Sequence, residues 1–232
     1  MVKALMTNHY LAIIPARKGS KGLVRKNMAN LGGKPLIEWT IDAALRSESF
    51  SDIIVTTDDE SVKELAEKKG VQVLERPAHL ASDEAGMLPV IDHVLENVVS
   101  PVAFMLLQPT SPFRSEEHIC SAISYFENSG LEVEGLISVQ SEDPTILKCL
   151  TLRDGWLDGI VDNKTSFMRR QDLPLVFKPN GAIFLSKTAS YLRTQSLLSE
   201  RTIPFVMNSQ ESLDVDSDVD LRAAEKLLVT RC

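Results

Sequence analysis

The sequence predicts an α/β fold, a mainly parallel sheet sandwiched by helices. Two features carry that reading. Short apolar runs alternate along the chain with longer segments of helical periodicity. The runs are nearly continuous in aliphatic residues, as strands buried on both faces are. The size also fits: 232 residues, 44% hydrophobic and 25% charged, suffice for one large core.

The elements follow in order. Residues 11–15 (Leu-Ala-Ile-Ile-Pro) form the first strand. Residues 35–46 form a helix with Leu36, Ile37, Trp39, Thr40, Ala43 and Ala44 at helical spacing, and Pro35 suits its first turn. The second strand is 53–56. Asp59 or Asp58 can cap a helix over 61–69, which stops at Gly70. A strand over 71–74, a helix over 86–99, a strand over 102–107, a helix over 115–128 entered through Pro112, and a strand over 135–139 continue the pattern. This rhythm predicts a Rossmann-like sheet with helices on both faces. Ligands bind such sheets at the carboxyl ends of the strands. The loops after Pro15, Thr56 and Leu107 are therefore expected to hold the chemistry.

After about residue 140 the rhythm changes. Residues 146–150, 175–177 and 182–185 look like strands with no helix between them. We read 141–186 as an inserted antiparallel arm for dimerisation and substrate contact. The main domain is then 1–140 with 187–232, closing on a strand at 203–206 and a helix over 218–228.

Composition excludes several classes. The chain has 25 Lys+Arg against 32 Asp+Glu, a net charge of −7, so a nucleic-acid backbone is not the expected partner. No apolar run approaches the length of a membrane span. Cys120, Cys149 and Cys232 are odd in number and widely spaced, which predicts reduced thiols and a cytoplasmic setting. An acidic chain that handles an anionic ligand must gather its cations locally. The segment Pro15-Ala-Arg-Lys-Gly-Ser-Lys-Gly-Leu-Val-Arg-Lys-Asn27 does this, with Arg17, Lys18, Lys21, Arg25 and Lys26 close together. Gly19 and Gly22 let the backbone approach a ligand. At a strand's carboxyl end this is a site for a polyphosphate. It is not a Walker loop: Met28 stands where the first glycine should be, and Pro35 follows Gly33-Lys34. The dinucleotide pattern of three glycines is also absent.

That segment, followed by Gly32-Gly-Lys-Pro-Leu-Ile37, resembles the opening of the CMP-sialic acid synthetases (acylneuraminate cytidylyltransferases). The resemblance continues in order at Arg76-Pro-Ala-His-Leu-Ala-Ser-Asp83, Gln108-Pro-Thr-Ser-Pro112, Arg170-Gln-Asp-Leu-Pro174, Pro179-Asn-Gly-Ala-Ile183 and Leu213-Asp-Val-Asp216. It implies transfer of CMP from CTP to the 2-hydroxyl of a nonulosonic acid such as N-acetylneuraminate, with release of pyrophosphate. It further implies Mg²⁺ (or Mn²⁺) and a homodimer. By the same resemblance Arg17, Ser20 and Lys21 hold the triphosphate, with Arg17 and Lys21 stabilising the departing pyrophosphate. Lys26, Asn27 and Arg76 lie around the nucleotide. Gln108 and Arg170 contact the sugar acid, and Asp214 and Asp216 bind the metal. The chain departs from the family at Gly86 and Met87, where a small hydroxyl residue is usual.

The residue types suit those roles. Phosphoryl-type transfer needs positioning and charge neutralisation. Asp214 and Asp216 are two apart and share a face on extended backbone, where two carboxylates suit a hard cation. The same acidic run, with Asp218 and Asp220, could instead cap the last helix. Arg170 has the fork that grips a carboxylate, or is a surface arginine. Gln108, Thr110 and Ser111 can read sugar hydroxyls, or form a proline-bounded turn. Lys148 is a further candidate on the sugar side. No dedicated base is evident. Legionaminic and pseudaminic acid are alternative acceptors, and an octulosonate enzyme or a non-catalytic nucleotide-binding homologue is a more distant one.

Overall fold

A computed structural model describes residues 10–19, 22–82 and 84–231. The strands are β1 Tyr10–Ala16, β2 Asn30–Leu31, β3 Lys34–Pro35, β4 Asp52–Thr57, β5 Gln72–Glu75, β6 Ala103–Leu106, β7 Gly135–Glu142, β8 Leu150–Arg153, β9 Trp156–Gly159, β10 Val176–Lys187 and β11 Thr202–Val206. The helices are α1 Leu36–Arg46, α2 Glu60–Lys68, α3 Met87–Glu96, α4 Glu116–Asn128, α5 Thr188–Thr194 and α6 Asp218–Arg231.

The central sheet has seven strands in the order β11-β7-β10-β6-β1-β4-β5. All run in one direction except β10, which pairs antiparallel with β6 and β7. The even residues of β1 (Tyr10, Ala12, Ile14, Ala16) face a core completed by α1, α2 and α4. The odd residues Leu11 and Ile13 face a second core with Ile91 and Val94 of α3 and Tyr191 of α5. This two-sided burial is why β1 is uninterrupted in apolar residues. Ile13 is fully buried in the second core. Ile13→Ala is expected to lower unfolding free energy by about 2–5 kcal/mol with an unchanged denaturant slope in urea titration.

α1 follows Pro35, which stands just outside the helix as its N-cap. Asp59 caps α2, its carboxylate accepting from Ser61 N at 3.0 Å. α6 packs on the β2–β3 hairpin through a third cluster containing Leu31, Leu36, Phe113, Val215 and Ala224. Among the described residues, no helix is long and apolar enough to cross a membrane.

The arm is shorter than the sequence suggests. Residues 176–187 are one twelve-residue strand, β10, inside the central sheet. Its register shifts between Pro179 and Phe184, and that interruption makes it read as two strands. Residues 146–150 are not a strand but mostly the 3-10 turn Pro144–Lys148. What stands outside the sheet is 143–175, carrying the β8–β9 hairpin. Asp154 and Gly155 form its turn with positive φ at both, as a tight hairpin requires.

Candidate active site

Parallel register aligns the carboxyl ends of the strands. Pro15 lies opposite Thr56, Ile13 opposite Leu106, and Thr57 opposite Glu75. The loops after β1, β4, β5 and β6 therefore meet. Those after β1, β5 and β6, with the segment after β11, line a cleft of about 390 Å³. Of the residues singled out in the sequence, Arg17, Lys26, Asn27, Arg76, Gln108, Thr110, Asp214 and Asp216 all line it. Ser20 and Lys21 lie outside the described residues.

The basic loop is held at both ends. Buried Asn27 donates from Nδ2 to the Arg17 carbonyl at 2.9 Å, closing the loop on itself. Lys18 N donates to Asp58 Oδ1 at 2.7 Å, tying the loop to the end of β4. The clustered cations divide. Arg17 and Lys26 line the cleft, whereas Arg25 turns away and donates to Ser61 Oγ at 2.7 Å. Arg76 is buried and donates from Nη2 to the Thr56 carbonyl at 2.9 Å. Burial pushes its pKa down to about 10, against the pull of Asp58, and the positive charge of Arg17 lowers it further. Two guanidiniums that repel across a cleft gain from an anion between them.

Opposite stand the two carboxylates. Val215 is fully buried and its N donates to the Thr110 carbonyl at 2.8 Å. Asp214 and Asp216 flank it, so both reach the cleft. Asp216 Oδ1 lies 2.6 Å from Lys26 Nζ. Asp214 keeps surface open to solvent, yet partial burial strips water from its carboxyl and raises it above the ordinary value. The Thr110 hydroxyl eases this, and the charge of Asp216 adds to it. Such a pair gains from a cation, and its all-oxygen donors fit Mg²⁺ or Mn²⁺. Among the described residues no group of three or more acidic, histidine or cysteine side chains is placed to hold a metal. Phosphate oxygens and water would have to complete the coordination, as Mg²⁺ commonly allows. The capping role falls to Asp220, whose Oδ2 accepts from Ser217 N at 2.9 Å and Ser217 Oγ at 2.7 Å.

The far wall is apolar, formed by Leu80, Ala85, Gly86, Met87 and Val90. Gly86 stands at the N-cap of α3 with no side-chain cap. A second chamber of about 290 Å³ adjoins the cleft and shares Gln108 and Asp214 with it. Gln140, Lys178, Asn180 and Ser212 also line it. Sequence reasoning assigned these four no role, although Asn180 lies in the Pro179-Asn-Gly block quoted above.

Three predicted sugar-side residues are not in either chamber. Ser111 is fully buried, with Oγ 3.5 Å from the Asn180 carbonyl, because the turn it occupies points inward under β10. Lys148 and Arg170 lie on the arm, outside the cleft. Arg170 is exposed and pairs with Asp143 at 3.1 Å.

A cytidylyltransferase family model matches residues 11–227. Over 219 residues the chain is 37% identical to the N-acylneuraminate cytidylyltransferase of Escherichia coli O18:K1:H7, covering 94% of this chain and 52% of that protein. It thus spans about half the length of that relative. It is 36% identical to the CMP-N,N'-diacetyllegionaminic acid synthase of Legionella pneumophila, covering 94% of this chain and 95% of that one. Among solved structures, a CMP:2-keto-3-deoxy-manno-octonic acid synthetase complexed with CTP superposes with TM-score 0.71, covering 97% of this chain and 100% of that one at 15% identity. At that identity the likeness speaks to the fold alone.

Proposed function

The chain belongs to the cytidylyltransferase family, and on that premise we propose that it transfers CMP from CTP to the 2-hydroxyl of a nonulosonic acid. N-acetylneuraminate is the leading acceptor, with legionaminic and pseudaminic acid as alternatives. The observation that carries this reading is the pair of chambers joined at Gln108 and Asp214, with Arg17, Lys26 and Arg76 around the first.

CTP lies in the larger cleft, its triphosphate toward Arg17 and Lys26 and its base toward Ala85–Met87. The sugar acid lies in the second chamber. Its 2-hydroxyl oxygen bonds to the α-phosphorus, the bond to the bridging oxygen breaks, pyrophosphate leaves and the hydroxyl proton passes to water. Arg17 stabilises the charge that grows on the leaving group. Asp214 and Asp216 would hold Mg²⁺ or Mn²⁺, which supplies charge to polarise the α-phosphate.

Leu152 and Leu157 on one side of the β8–β9 hairpin, Trp156 on the other, and Phe167 leave apolar faces exposed on the arm, with Trp156 79% and Phe167 84% accessible. A face of that kind favours a homodimer, in which Lys148 and Arg170 would serve a partner's sugar site. A cytoplasmic enzyme fits the free thiols of Cys120 and Cys149. The test supplies CTP, Mg²⁺ and a panel of nonulosonic and octulosonic acids, and measures pyrophosphate release. The expected result is release ranked with a nonulosonic acid first. Highest release with an octulosonate would overturn the acceptor assignment.

A further inference from the structure

Arg114 is an anomaly: a fully buried guanidinium whose Nε and Nη2 have no hydrogen-bond partner among the described residues. Burial alone pushes it down to about 9. A buried cation without an anion is costly, and an apolar side chain of similar volume would avoid that cost. What Arg114 does contribute is one atom. Its Nη1 donates to the Gln108 carbonyl at 3.2 Å and to the Ala182 carbonyl at 3.0 Å, joining the end of β6 to β10.

That junction is where β10 loses register. A buried network holds the irregular residues. Asn180 Oδ1 accepts from Ser138 Oγ at 2.5 Å and from Ala182 N at 3.1 Å. Asn180 Nδ2 donates to Ser212 Oγ at 2.9 Å, and Ile183 N donates to Ser138 Oγ at 2.7 Å. The bulge places Gly181 against the Gln108 side chain. Gly181 has φ +79, and a Cβ there would stand 2.6 Å from Gln108 Oε1. Gln108 is thus held at its main-chain carbonyl by Arg114, and its side chain lies close against Gly181, at the wall between the two chambers.

We propose that Arg114 is a positioning residue that holds Gln108 and the β10 bulge in the shape that receives the sugar acid. The proposal rests on the function read above only for what the second chamber binds. Two variants test it, Arg114→Met and Arg114→Lys, each with amide hydrogen exchange on the free protein and steady-state kinetics. In Arg114→Met, exchange across residues 180–183 is expected to accelerate about tenfold or more by local opening, with the global unfolding midpoint little changed. The KM for the sugar acid is expected to rise about tenfold while that for CTP moves less than about twofold. Arg114→Lys, which keeps a donor, should recover part of both effects. Unchanged exchange at 180–183, or equal shifts in both KM values, would overturn the proposal. Should the wild-type protein release no pyrophosphate, the proposed function falls, while the exchange result still decides whether Arg114 holds the bulge.

Discussion

Replacing Asp214 or Asp216 with asparagine is expected to lower kcat by at least about 10²-fold and to weaken the apparent affinity for Mg²⁺ in parallel. The basis is the placement of both carboxylates at the cleft on either side of buried Val215. Charge stabilisation at a transferring phosphoryl group is worth several kcal/mol, and each ~1.4 kcal/mol is one decade of rate. The two variants should differ in stability. Burial raises the Asp214 carboxyl and Asp216 raises it further, so the ionised side chain opposes folding at neutral pH. A carboxyl raised in the fold contributes stability at low pH and loses it as pH rises through the raised value. Asp214→Asn removes that loss, and its unfolding midpoint in metal-free buffer at neutral pH should hold or rise. Asp216→Asn instead gives up an exposed ion pair with Lys26, worth about 0–1 kcal/mol. Retained activity in both variants would remove the acidic pair from the mechanism.

Gly22→Ala is the second large effect expected. A Cβ at Gly22 would overlap the backbone carbonyl oxygen of Asp216. Backbone cannot rotate aside as a side chain can, so the basic loop and the acidic segment must separate. A displacement of ~1 Å in a positioned site costs about 10²-fold, and kcat/KM for CTP should fall by that order. Gly22 is exposed and outside the three apolar clusters, so the cost in unfolding free energy should stay within the range of about 1–3 kcal/mol set by the overlap itself, leaving the protein folded. Wild-type CTP kinetics in this variant would mean the two loops do not meet as described.

Much of this geometry was legible in the sequence. The strands over 11–15, 53–56 and 102–107 announce themselves because both faces of β1, β4 and β6 are buried. Their carboxyl ends lead to Arg17 and Gln108, so position in the rhythm pointed to the cleft these residues line. β10 was not legible as one strand. Its bulge at Asn180–Ile183 breaks the pattern, and its outer half, 176–179, is only partly buried. The β8–β9 hairpin was also missed, although Asp154-Gly155 is a tight-turn pair. Its strands are mostly exposed and only four residues each; Leu150-Thr-Leu-Arg153 alternates, but Trp156-Leu-Asp-Gly159 does not. Ser111 reads as a surface polar residue until β10 covers it. Arg114 gave no signal at all, since burial of an arginine depends on packing between distant segments.

The central claim is that the cleft brings CTP and a sugar acid together for attack at the α-phosphorus. Following CTP, Mg²⁺ and N-acetylneuraminate by ³¹P NMR tests it most directly. The account predicts that the three CTP resonances give way to pyrophosphate and one phosphodiester resonance, in equal molar amounts, only when a sugar acid is present. CTP that stays intact with every nonulosonic acid, or that yields CDP and inorganic phosphate, would contradict it.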